Sequence, residues 1–205
     1  MSALLEVRDL GFAWPGQTPL FQDLNLSVGP GVSLVTGDEQ CGKTTLLRLL
    51  AGEMVPKTGH LAFSGQTIDS ACEAWHRQVF WIHPQTEVHD QICASDWFAS
   101  LPARYPRFSR QALADLIEGF GLEPHLAKPM YMLSTGSKRK VWLSAAFAAN
   151  APLTLIDQPF AALDGPAIRF LRELLQDAAD VPDRVWVIAD FEAPADVPLS
   201  GTIAL

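Results

Sequence analysis

Hydrophobic positions along the chain follow two periods, and their alternation lays out the elements. Leu4 to Leu10 mixes polar and apolar residues as a half-exposed strand does. Phe12, Trp14 and Pro15-Gly16 then form an aromatic turn, and Leu24, Leu26 and Val28 alternate as a second strand. After Gly29-Pro30-Gly31 comes an unbroken apolar run, Val32 to Val35, which reads as a buried strand. Pro56 to Gly59 predicts a turn, His60 to Ser64 a short strand, and Val79 to Ile82 another apolar one. Helical spacing appears at Leu46, Leu47, Leu49 and Leu50, closed by Gly52. It returns at Leu113, Leu116, Ile117 and Phe120, between a capping Ser109 and a closing Gly121. A long helix is expected from Ser134 to Ala149, and another around Leu171, Leu174 and Leu175. Buried strands are expected at Leu153 to Ile156 and Val185 to Ile188, with a final strand near Thr202 to Leu205. Alternating strands and helices predict an α/β fold with a mostly parallel sheet, and the opening strands an antiparallel portion. The stretch 87–140 differs: Pro102, Pro106, Pro124 and Pro129 break it up, and it reads as a helical insertion in a core made of 1–86 and 141–205.

The buried strand at Val32 leads straight into Gly37-Asp38-Glu39-Gln40-Cys41-Gly42-Lys43-Thr44, a full match to GxxxxGK[ST], and then into the leucine helix. Strand, glycine loop and helix in that order form the context a phosphate-binding loop needs. Such a loop aims backbone N–H groups at phosphates, with Lys43 reaching the β- and γ-phosphates and the Thr44 hydroxyl placed to ligate Mg²⁺. Cys41 is either a small residue suited to a tight loop or an oxidation-sensitive thiol. A second strand, Leu153 to Ile156, ends in Asp157, where a carboxylate can hold Mg²⁺; the alternative reading is a turn cap.

Composition narrows the picture. With 205 residues, 48% hydrophobic and 19% charged, the chain has enough apolar surface for one substantial domain. Its net charge of −8 argues against a nucleic-acid-binding surface. The cysteines Cys41, Cys72 and Cys93 are odd in number and show no CxxC spacing, so a reducing compartment is expected rather than a disulfide or zinc framework. No basic-then-apolar leader stands at the N-terminus, and the longest apolar tract, Val141 to Ile156, is too short to span a bilayer.

Leu133-Ser134-Thr135-Gly136-Ser137 opens the long helix and resembles the LSGGQ signature of ABC-type ATPases. Gln158-Pro159-Phe160-Ala161-Ala162-Leu163-Asp164 resembles the stretch that in that family follows the Mg²⁺ aspartate, D-loop included. The resemblance covers almost the whole chain in the family's order. It implies a P-loop NTPase fold of ABC type, an ATPase activity, and ATP and Mg²⁺ as ligands. It also implies a head-to-tail homodimer or heterodimer that sits in the cytoplasm, peripheral on the cytoplasmic face of the membrane, with a separate transmembrane subunit as partner. Each ATP would lie between one subunit's loop (Gly37, Asp38, Glu39, Gln40, Cys41, Gly42, Lys43, Thr44 and Thr45) and the other's Ser134 and Gly136. Trp14 matches the aromatic that stacks on adenine, or else packs on the sheet. Gln85 matches the glutamine that contacts Mg²⁺ and the transport partner, or else is a solvated glutamine.

Three departures from the family pattern stand out. Gln158 occupies the place of the glutamate that polarises the attacking water, and an amide cannot take a proton. No histidine follows His125, so Asp190 is expected where the family has its switch histidine, placing an anion near the γ-phosphate. Asp38, Glu39 and Gln40 replace small residues and a glycine, so Gln40 has to adopt backbone angles that suit glycine. The expectation is an ATP-binding subunit that hydrolyses slowly. The alternatives are a regulatory half paired with an active ATPase, or a non-transport ABC protein.

Overall fold

The computed structural model of the chain describes residues 4–68 and 72–205. In chain order the elements are β1 (Leu5–Phe12), β2 (Phe21–Val28), β3 (Gly31–Thr36), α1 (Lys43–Leu50), β4 (Thr58–Phe63) and β5 (Gln66–Thr67). There follow α2 (Glu73–His76), β6 (Val79–Phe80), α3 (Ala94–Arg104), α4 (Arg110–Phe120) and α5 (Thr135–Ala149). The chain closes with β7 (Leu153–Asp157), α6 (Gly165–Ala179), β8 (Val185–Ala189) and β9 (Leu199–Ala204).

Two sheets result. β2-β1-β4-β5 is antiparallel, and β6-β7-β8-β3-β9 is parallel throughout. The strands β3, β6, β7 and β8 are buried on both faces, which is why they read as apolar runs, whereas the edge strand β9 is largely exposed. Alternate residues supply two cores. Trp186 and Ile188 of β8 point into the layer of α3, α4, α5 and α6. Val185 and Val187 point to the side where α1 packs with Leu5, Val7 and Phe63 of the antiparallel sheet.

The expected elements are present, with shifted ends. β1 runs on through Gly11 to Phe12, β2 begins at Phe21, and β9 begins at Leu199. Pro102 was expected to interrupt structure but lies inside α3. A proline in the last turn forfeits one backbone bond, and the ladder resumes with the Tyr105 N–H donating to the Leu101 carbonyl at 2.9 Å. Buried Trp97, Phe98 and Leu101 hold the helix there against that loss. The caps of α4 are as expected: the Ser109 hydroxyl accepts from the Ala112 N–H at 3.1 Å, and Gly121 closes with φ of 63°.

The order β7-β8-β3 positions the site. It sets the carboxyl ends of three neighbouring strands side by side, with Asp157 opposite Ala189 and Ala189 opposite Val35. The phosphate loop leaves β3, residues 158–164 leave β7, and residues 190–191 leave β8 between them. Ligands of open α/β sheets bind at this edge.

Candidate functional site

At that edge lies a cleft of about 360 Å³ lined by the loop residues Glu39, Gln40, Gly42, Lys43, Thr44 and Thr45. Trp14, Gln17 and Leu20 line it from the β1–β2 connection, and Asp157, Gln158 and Phe191 from the strand ends. The loop arches through three positive-φ residues, Gly37 at φ 152°, Gln40 at φ 63° and Gly42 at φ 108°. Gln40 therefore does adopt glycine-like angles. Position 42 admits only glycine, since a Cβ there would stand 2.8 Å from the Phe21 ring. Gly42 caps α1 without any side-chain hydrogen bond, leaving the first N–H groups of the helix open to an anion.

Lys43 is only 7% exposed. Its ammonium donates to the carbonyls of Gly37 at 2.7 Å and Asp38 at 2.8 Å, and lies 4.5 Å from the centre of the Phe191 ring. The Thr44 hydroxyl donates to Oδ2 of Asp157 at 2.5 Å, joining loop and second strand across the cleft floor. These two groups are hard oxygen donors on an open cleft. Mg²⁺ takes one or two protein oxygens and fills its octahedron with water and phosphate, so the pair fits that ion. Asp38, Glu39 and Gln40 are exposed, and Asp38 does not line the cleft. Of the two loop carboxylates, only Glu39 therefore borders the space a phosphate would enter.

At the other strand ends the arrangement differs from the sequence expectation. Asp190 does not line the cleft; its neighbour Phe191 does. The Asp190 carboxylate accepts from the Phe191 N–H at 2.8 Å. Burial, and less so the Asp157 charge, push its pKa up, against the Phe191 hydrogen bond and the cations Lys43 and Arg139, which favour the ionised form. Gln158 reaches the cleft from a left-handed backbone, φ 48°, pinned by its N–H donating to the Ala189 carbonyl at 2.8 Å. No side chain of its type relieves that conformation, which costs roughly 1–2 kcal/mol.

Arg139, missed in the sequence, is buried on α5 and donates through Nη1 to the Asp157 carbonyl at 2.8 Å. Burial lowers its pKa, while the charges of Asp157 and Asp190 act in the opposite direction. It ties the helix that begins at Ser134 to the strand end that carries Asp157. Ser134 caps that helix, its Oγ accepting from the Ser137 N–H at 3.1 Å. Gly136 packs so closely on the segment after Gln158 that a methyl group would overlap the Ala162 carbonyl. Neither Ser134 nor Gly136 lines the cleft.

A model of the family described as ABC transporter matches residues 21–161. The chain belongs to the ABC transporter ATPase family. Among curated proteins it is similar to the cytochrome c biogenesis ATP-binding export protein CcmA of Pseudomonas putida, 34% identical over 71% of this chain and 70% of that protein. It is also similar to the taurine import ATP-binding protein TauB of the same species, 34% identical over 85% of this chain and 66% of that protein. A solved ATP-binding subunit of an ABC transporter superposes with a TM-score of 0.80 at 25% identity, covering 91% of this chain and 79% of the other. A bacterial Atm1-family ABC exporter with ATP bound shares the fold at a TM-score of 0.75, over 93% of this chain and 35% of the other.

Within this ABC ATPase the cleft gathers Trp14, the phosphate loop, Asp157 and Gln158, and leaves Gln85 outside. Gln85 is exposed, and its backbone N–H bonds Nδ1 of His83 at 3.2 Å. Its loop borders a separate groove of about 390 Å³ whose lining includes Trp81, His83, Val88, Ile92, Trp97 and Arg104. Val88 there is 84% exposed. Next to Gln85, Pro84 lies in a small gap with Arg139 and Asp157, so this short loop links groove and strand end. Among the described residues no helix is long and apolar enough to cross a membrane.

Proposed function

We propose that this chain is the ATP-binding subunit of an ABC transporter that binds MgATP and hydrolyses it slowly. The Thr44–Asp157 hydrogen bond carries the reading. It joins the two halves of a Mg²⁺ site directly beside a phosphate loop whose lysine is desolvated and ready. Bound Mg²⁺ would supply charge for the β- and γ-phosphates, held by Thr44 and Asp157, with Gln85 joining when its loop moves. The chain's own part is to grip: α1 N–H groups and Lys43 take phosphate oxygens, and Trp14 offers a ring at the rim for the base. Gln158 lines the cleft beyond Asp157 and can orient a water through its amide but not accept its proton. Losing a general base costs about 10²–10⁴-fold in rate.

The helix N-terminus at Ser134 and Gly136 has no ligand within its own chain's cleft. It serves the nucleotide of a second ATPase subunit packed head to tail. The Asp190 and Gln158 substitutions favour a partner with a better-equipped site, a heterodimer in which this chain is the slow half. The groove beside Gln85, which mixes apolar Val88, Ile92 and Trp97 with polar His83 and Arg104, takes the membrane subunit, which would place the chain on the cytoplasmic face. CcmA and TauB are named for export and import respectively, so neither direction is assigned.

Titrating MgATP into the protein and into Lys43→Ala tests the binding core. Each charge-assisted bond from Lys43 to phosphate is worth about 1.5–3 kcal/mol, so affinity should fall on the order of 100-fold or more. Equal affinities, or no binding by the parent or by Phe191→Ala, would sink the reading.

A further inference from the structure

We infer that Phe191 sets the discrimination of this cleft between nucleoside triphosphate and diphosphate. The inference rests on the proposed ATP-binding role and concerns a residue that role does not use. Lys43 has three N–H groups, and two are taken by the Gly37 and Asp38 carbonyls. The remaining side of the ammonium faces Cys41, whose Sγ is 3.7 Å away, and the Phe191 ring, centred 4.5 Å away. A phosphate oxygen that bonds Lys43 without breaking its loop contacts has to arrive from that side.

The position of the ring is built rather than incidental. Asp190 holds the Phe191 N–H at 2.8 Å, and the Thr36 hydroxyl donates to the Phe191 carbonyl at 3.1 Å. Both backbone groups are thus fixed to the ends of β8 and β3. The side chain is left 51% exposed, a large apolar group that neither core contains. An exposed aromatic held on a cation has something to gain there, because the ring quadrupole attracts the ammonium.

Topology says which phosphate meets the ring. β8 lies between β7 and β3, so Phe191 stands between the loop that holds the β-phosphate and the Asp157–Gln158 end. The terminal phosphate of a triphosphate must enter that interval, between Lys43 and Gln158. A diphosphate ends before it: its β-phosphate lies among the α1 N–H groups and meets Lys43 by taking the place of a loop carbonyl rather than from the ring side. Triphosphate therefore has to displace the ring from Lys43, and diphosphate does not. The ring weakens triphosphate binding selectively.

Calorimetric titration with MgATP and MgADP on the parent, Phe191→Ala, Phe191→Leu and Phe191→Tyr tests this. Cation–π contacts span exposed to desolvated cases, which corresponds to about 2- to 30-fold in affinity. Phe191→Ala should tighten MgATP by roughly 10-fold and MgADP by less than about 3-fold. Phe191→Leu keeps bulk without a ring face and should fall between, and Phe191→Tyr should match the parent. Thermal unfolding without nucleotide should hardly move, because the ring belongs to neither core. Equal shifts for both nucleotides, or weaker MgATP binding by Phe191→Ala, would overturn the inference. If the parent binds MgATP through Lys43 and the ratio does not move, this inference alone fails. If neither parent nor Phe191→Ala binds MgATP, the binding role fails and takes the inference with it.

Discussion

The two ends of the cleft are built differently. At the phosphate-loop end three polar side chains have partners that suit nucleotide binding: Lys43 on its own loop, Thr44 on Asp157, and Arg139 beneath Asp157. At the far end, where water has to be activated, stand an amide, a carboxylate turned to its own turn, and an exposed phenyl ring. Gripping a triphosphate needs fixed N–H groups, one cation and two oxygens. Turning it over needs in addition a group that takes a proton and one that senses the terminal phosphate. The first set is present and the second is altered, and that contrast is the ground for proposing slow turnover with an intact grip.

Variants can collapse or widen that contrast. The largest change is expected from Gln158→Glu, which restores a carboxylate beside Asp157. It should raise the MgATP hydrolysis rate by about 10²–10⁴-fold, the usual worth of a positioned base. A rate unchanged in a folded variant would mean that turnover is limited elsewhere. Arg139→Met comes next. It removes the hydrogen bond from α5 to Asp157 and the cation facing two carboxylates. The unfolding free energy should drop by about 1–3 kcal/mol, read as a shifted urea midpoint with an unchanged slope.

The smallest effect belongs to Asp190→Asn, and its sign depends on pH. The Asp190 pKa is raised in the fold, mainly by burial, from the ordinary 3.8. As pH rises through 3.8 the unfolded chain gives up this proton while the folded chain keeps it, so the group costs stability from there up through its raised pKa. The asparagine variant keeps an acceptor for the Phe191 N–H and avoids that cost. It should be more stable than the parent near neutrality by on the order of 1 kcal/mol or less. The gain should vanish below 3.8, and pH-dependent urea midpoints would show it.

What the sequence revealed follows from how local each feature is. The loop from Gly37 to Thr44 and the strand ending at Asp157 are short patterns with fixed spacing, so both partners of the Thr44–Asp157 hydrogen bond were legible. Gln158 and the missing histidine were legible as departures for the same reason. Phe191 was not, because its place depends on β8 lying between β7 and β3, a long-range order that no local period encodes. Arg139 sits in a run of Lys138, Arg139 and Lys140 that reads as a solvated helix face, yet Arg139 is buried and Lys140 pairs with Asp164 at 2.6 Å. The run of α3 through Pro102 was hidden by a residue that usually ends helices, overridden by the burial of Trp97 and Leu101.

The most direct test of separable grip and turnover is to incubate the purified protein with MgATP, remove free nucleotide, and identify what remains bound. Retention of MgATP, intact over a time in which Gln158→Glu converts its own to ADP, is the predicted result. ADP and phosphate formed by the parent as fast as by Gln158→Glu would contradict the account.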